Sequence, residues 1–141
     1  MNRNDFSGQL GTEVLKPEFV KRRINMDKNK TLLFLGDVVP YKPFRFRNDL
    51  KTVINLECPI IKEGIPEEGK INLKVQENYL GDIFGNNLFC VNIGNNHILD
   101  YGIEGLSSTI NELGRLKTNY FGLNKNTDSK YDPLILKLGD M

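Results

Sequence analysis

Three short apolar runs, each closing on polar residues, set the strongest limit on what this chain folds into. Residues 31–35 run into Gly36 and Asp37. Residues 52–57 carry Asn55 and Glu57 at their end, just before Pro59. Residues 88–93 run into Gly94, Asn95, Asn96 and His97. Short runs rich in apolar and β-branched residues read as buried strands. Between the second and third, Val75, Tyr79, Leu80, Ile83 and Phe84 recur at helical spacing and predict a helix over 75–84, ended by Gly85 and Asn86. After the third, Ile103, Leu106, Ile110, Leu113 and Leu116 form the stripe of a helix over 102–117. Tyr120-Phe121-Gly122 predicts a short fourth strand, and residues 134–138 the start of a fifth. This order predicts an α/β fold with parallel pairing. Open sheets of that kind carry their chemistry in loops beyond the C-terminal strand ends, which is where the polar residues fall.

The bulk numbers narrow the classes. A chain of 141 residues builds one modest domain. Nineteen Lys+Arg against eighteen Asp+Glu leave a net charge of +1, which argues against a polybasic nucleic-acid binder. At 39% apolar and 26% charged residues, the chain has the composition of a globular protein rather than a disordered one. The apolar run Leu32-Leu33-Phe34-Leu35 falls far short of the roughly 20 residues a membrane span needs. Residues 1–30 read as a polar leader without the apolar core of a signal peptide, which predicts a cytoplasmic protein or a mature piece whose signal was removed. Within it, residues 18–26 could form a short helix whose Lys21, Arg22 and Arg23 read as a solvated face. Further on, Lys42, Arg45 and Arg47 alternate with Phe44 and Phe46. Such alternation is compatible with a nucleic-acid strip, but reads better as a half-buried extended segment with its charges outward. Cys58 and Cys90 lie in strand-like contexts without CxxC spacing and read as buried free thiols.

The residues gathered at the three strand ends suggest a chemistry. Asp37, Glu57 and Asn96 offer two carboxylates and an amide oxygen, donors suited to a divalent cation. His97, the one histidine of the chain, offers an imidazole for metal binding or general acid catalysis. Such a set suits a phosphate ester, whose charge a metal ion neutralises. Each group also has an ordinary reading: Asp37 as a turn or helix cap, Glu57 as a solvated loop carboxylate, Asn95-Asn96 as an Asx turn, His97 as a structural imidazole. Their recurrence at three successive strand ends favours the functional reading.

The runs Leu33-Phe34-Leu35-Gly36-Asp37-Val38, Val53-Ile54-Asn55-Leu56-Glu57-Cys58-Pro59 and Val91-Asn92-Ile93-Gly94-Asn95-Asn96-His97-Ile98-Leu99-Asp100-Tyr101-Gly102 resemble the CapA family. These are bacterial capsule-synthesis proteins linked to poly-γ-glutamate, with a calcineurin-like metallophosphoesterase fold. The third run, leading into a helix with Gly105, Leu106, Thr109 and Leu113, is the most specific. The resemblance spans residues 31–141 and implies a metallophosphoesterase-like sheet flanked by helices. It implies Asp37, Glu57 and Asn96 as ligands of one or two divalent ions, with manganese, magnesium, iron and zinc not distinguished. His97 would be the catalytic group facing the substrate. Asn55 would support Glu57, while Asn95 and Asp100 would orient their neighbours, and Gly102 would let the chain turn tightly into the helix.

Family members are longer, and their second half supplies further histidines to the metal centre. No histidine follows His97 here. Residues 31–141 therefore read as the N-terminal portion of a CapA-like metallophosphatase domain. An incomplete sheet leaves an open edge and an uncovered apolar face, which predicts self-association or a partner chain covering the open half. The expected substrate is a polymer or a phosphorylated compound. Many relatives carry a membrane anchor or act at the cell surface, and no transmembrane segment is seen in this sequence. The rival expectation is a non-catalytic binding or scaffold module that keeps half of the fold.

Overall fold

The computed structural model describes residues 31–42, 44–123 and 133–135. Its elements are β1 (Leu32–Val38), β2 (Lys51–Leu56), α1 (Tyr79–Phe84), a 3-10 turn (Gly85–Asn87), β3 (Leu88–Asn92), α2 (Gly102–Arg115) and β4 (Asn119–Phe121). The four strands form one parallel sheet in the order β1-β2-β3-β4. The predicted α/β class and all four predicted strands in this span are therefore present.

Parallel strands are covered on both faces, which is why β2 and β3 read as unbroken apolar runs. Val53, Ile54 and Leu56 of β2 are buried, as are Cys90 and Val91 of β3. The edge strand β1 is wetter, and Phe34 on it is 68% exposed. Leu106, Ile110 and Leu113 of α2 join Ile54, Leu56, Val91 and Ile93 in the core cluster. Burying a leucine or isoleucine fully is worth about 1.5–3 kcal/mol, so this stripe supplies much of what holds α2 in place. Thr109 adds a specific tie. Its buried hydroxyl donates to the Gly105 carbonyl at 2.7 Å and accepts the Ile60 N–H at 2.8 Å.

Three sequence expectations are modified. The helix predicted from Val75 begins only at Tyr79, because the Val75 backbone is already paired. Its N–H donates to the Pro59 carbonyl and its carbonyl accepts from Ile61, both at 3.0 Å, in a parallel bridge to Ile60. Ile103 shares the spacing of the α2 stripe but is 60% exposed, so the buried stripe starts at Leu106. Leu134 and Ile135 are exposed and outside any regular element. The rest of that run, and residues 18–26, lie outside the described residues. Both cysteines are buried free thiols, as expected.

Two irregularities in strand pairing set the site. Between Phe34↔Val53 and Asp37↔Asn55, β1 advances three residues while β2 advances two. Between Thr52↔Leu88 and Val53↔Cys90, β3 advances two while β2 advances one. An extra residue of this kind turns the following side chains to the other face. Asp37, Asn55 and Asn92 consequently become lateral partners, one from each of three adjacent strands.

Candidate functional site

The row Asp37–Asn55–Asn92 crosses the C-terminal end of the sheet. The Asn55 amide is its hub. Asn55 Nδ2 donates to Asp37 Oδ1 at 2.6 Å and also to Glu57 Oε2. Asn55 Oδ1 accepts from Asn92 Nδ2 at 3.0 Å and from Asn95 Nδ2 at 3.2 Å. One side-chain amide thus gathers two carboxylates on its nitrogen and two further amides on its oxygen. Asp37 is exposed and Glu57 half-buried, so the carboxylates face solvent while the amide row lies beneath them.

A second network follows on the β3–α2 loop. Asp100, with a fully buried side chain, receives Lys70 Nζ at 2.7 Å on Oδ1. Its Oδ2 accepts the Leu73 N–H at 2.6 Å and lies 2.8 Å from His97 Nδ1. Burial pushes the Asp100 carboxyl upward, but hydrogen bonds from Lys70, Leu73 and His97 outweigh it and hold the group below the usual carboxylate range. The same carboxylate raises the Lys70 ammonium, with help from Glu67 at 3.3 Å. With Nδ1 held by a carboxylate, the ring orientation of His97 is set and Nε2 is left for other partners.

Asn95 joins the two networks. Its Nδ2 reaches Asn55 and also the Leu56 carbonyl at 2.7 Å, while its Oδ1 accepts the His97 N–H at 3.1 Å. Beneath both lies Cys58, whose thiol is pushed up to about 12 by burial, with the Asp100 and Glu57 charges adding to the effect. A thiol so placed is inert packing rather than a nucleophile. Gly102 enters α2 at φ +60°, the tight turn expected of it.

The structure brings Asp37, Asn55, Glu57 and Asn95 into one network and His97 with Asp100 into the adjoining one. It does not draw the Asn96 side chain into either: Asn96 is exposed, and its backbone carbonyl accepts from Lys70 at 3.0 Å. Sequence reasoning missed Asn92 and Lys70. Asn92 carries a legible signal, since it is the last residue of a strand whose neighbours also end in polar residues. Lys70 carries none, because it arrives from a distant loop. Among the described residues, no three of His, Cys, Asp and Glu are grouped to hold a metal ion by themselves. The Asp37 and Glu57 carboxylates are hard oxygen donors of the type a divalent cation accepts, whereas the amide oxygens of Asn55, Asn92 and Asn95 are already taken by N–H donors of the network.

Fold and site together define an α/β protein whose polar centre lies beyond the C-terminal ends of a parallel sheet. The family model of the bacterial capsule synthesis protein PGA_cap matches residues 31–141, and the chain belongs to that family. A comparison with curated proteins finds no match. Among the described residues, no helix is long and apolar enough to cross a membrane.

Proposed function

We propose that this capsule-synthesis family member serves the assembly of an exopolymer of the poly-γ-glutamate type, through a metal-dependent, phosphoesterase-like centre at the sheet edge. The observation that carries this reading is the convergence of the Asp37 and Glu57 carboxylates on one nitrogen, Asn55 Nδ2. Two carboxylates held that close repel each other, and the neutral Asn55 amide offsets that only in part through its N–H dipoles, which favours a cation beside them. Asp37 and Glu57 would hold a divalent cation; Asn96, whose side chain lies outside both networks, would join them only by a movement of its exposed loop. All-oxygen donors favour magnesium or manganese over softer-ligand metals. Such an ion, when bound, neutralises phosphate charge and polarises the phosphoryl oxygen.

The chain's own groups do the remaining work. Asp100 holds the proton on His97 Nδ1, so that Nε2 can hydrogen-bond a substrate oxygen and, as imidazolium, protonate a leaving group. Lys70 keeps Asp100 ionised in that role. Manganese titration by calorimetry, run alongside hydrolysis of p-nitrophenyl phosphate, tests the reading. Asp37→Ala should abolish measurable metal binding, and His97→Ala should leave metal binding intact while removing hydrolysis. Unchanged metal content and activity in both variants would sink it. Self-association through the outer edge of β1 belongs to the same reading and is supported by the exposure of Phe34. A monodisperse monomer in concentrated solution scattering would count against it.

One observation favours a second reading, a non-catalytic binding or scaffold module. The described residues supply two close carboxylates but no third His, Cys, Asp or Glu beside them. A cation held by so few protein ligands is weakly bound. This reading predicts polymer binding that survives chelation and is unaffected by His97→Ala.

A further inference from the structure

The opposite end of the sheet carries a cavity that the reading above does not use. It has a volume of about 780 Å³ and is lined by residues 45–49 and 81–87. These segments run directly into the starts of β2 at Lys51 and β3 at Leu88. Because the strands are parallel, the cavity lies at their N-terminal ends, while the carboxylate cluster lies at their C-terminal ends.

Two features give this cavity a chemical preference. The first is its pair of guanidinium groups. Arg45 and Arg47 are both exposed, and among the described residues neither is engaged in an ion pair or a hydrogen bond. The second is the way they are mounted. Phe46 between them is pinned, its N–H donating to the Ile83 carbonyl at 2.9 Å and its ring 5.7 Å from that of Phe84. Arg45 and Arg47 flank this anchored residue, and both line the cavity. Nearby, the Lys51 ammonium donates to the Asn86 carbonyl at 2.8 Å, and Asn87 Nδ2 donates to the Asn48 carbonyl at 2.6 Å, which fixes the two walls against each other.

We infer that this cavity is a second binding site, separate from the carboxylate cluster, for a ligand bearing two oxyanion groups, carboxylate or phosphate. Guanidinium groups engage such groups by paired N–H donors. Asp49 and Asp82 also line the cavity. With two aspartates beside two arginines the lining carries no large positive field, so an anion is held there by direct contact with the guanidinium groups rather than by general attraction. The extended basic-aromatic segment thereby gains a role that the near-neutral composition of the chain hides.

The test is a titration of the 15N-labelled protein with pyrophosphate and, in a second arm, with a linear tri-glutamate peptide. Which arm saturates at the lower concentration tells phosphate from carboxylate ligands. The amide signals of Gly85 and Asn86 should move while those of Asn55 and Asn95 stay. Arg45→Ala and Arg47→Ala should each weaken binding by roughly tenfold, as expected for loss of a charged hydrogen bond. Both arginines are exposed, so these variants should fold, and an unchanged circular dichroism spectrum verifies it. Three results overturn the proposal: shifts confined to the Asn55 region, equal binding by the double variant, or equal binding of a monovalent anion such as acetate.

Discussion

Asn55 Nδ2 lies 2.6 Å from Asp37 Oδ1, although eighteen residues separate the two in the chain. They meet because each is the other's lateral partner on neighbouring parallel strands, and only after β1 has taken up one extra residue. The same amide carries Glu57, so a single neutral side chain stands between two negative ones.

Replacing that neutral side chain with a charged one reverses its effect. Asn55→Asp puts a third carboxylate beside Asp37 and Glu57 and removes the donor both rely on. The variant should lose about 1–3 kcal/mol of stability in chelator, the usual cost of stripping charged groups of a hydrogen bond. Magnesium or manganese should restore more of its melting temperature than that of the wild type. Thermal melts with and without the ion check this, and equal gains for both proteins would contradict it.

Gly122 tests how closely β3 and β4 must approach. Its φ is +105°, and a Cβ there would lie 2.5 Å from both Asn92 Oδ1 and the Gly94 nitrogen. Gly122→Ala should cost about 1–3 kcal/mol through strain alone, with further loss as Asn92 is pushed off Asn55. Chemical denaturation measures the total. A change below 0.5 kcal/mol, the ordinary range for surface substitutions at about that figure, would mean the two strand ends relax freely.

Thr109→Val keeps the shape of a buried side chain and removes its hydroxyl. The Ile60 N–H then has no partner, for a cost of about 1–3 kcal/mol. Hydrogen exchange should quicken at Ile60 before it does in β2. Uniform quickening along both segments would argue that Thr109 acts only by filling space.

Acid should unfold the chain partly through Glu112. The Arg115 guanidinium, then the Asn78 N–H, hold this carboxyl below its ordinary value of 4.5 against the opposing effect of burial. A carboxyl depressed in the folded state releases its proton more readily there than in the unfolded chain. Its stabilisation is therefore complete above 4.5 and is lost as pH falls through that value toward the lower folded one. Asp100 adds the same sign below its own ordinary value of 3.8. Melting temperature should fall with pH in this window, and Glu112→Gln should flatten the slope. An unaltered slope would remove Glu112 from the account.

Much of this protein was legible in the chain because the relevant physics is local. Strands buried on both faces need continuous apolar runs, so residues 52–57 and 88–93 announce themselves. The α2 stripe from Leu106 to Leu113 follows from helical spacing, and Cys58 and Cys90 are apolar in apolar surroundings. Asp37, Asn55, Glu57 and residues 95–97 were visible as polar stops on those runs, and Asp100 through the family resemblance. Non-local partners decided the rest. Val75 fits a helix by spacing, but Ile60 and Pro59 already hold its backbone. Ile103 fits the stripe, but it is left 60% exposed. Lys70 reaches Asp100 from a loop with no pattern of its own. Most of all, a strand sequence carries a period of two without saying where pairing slips. The extra residues in β1 and β3 set which faces align, and that register alone turns Asp37, Asn55 and Asn92 into one row.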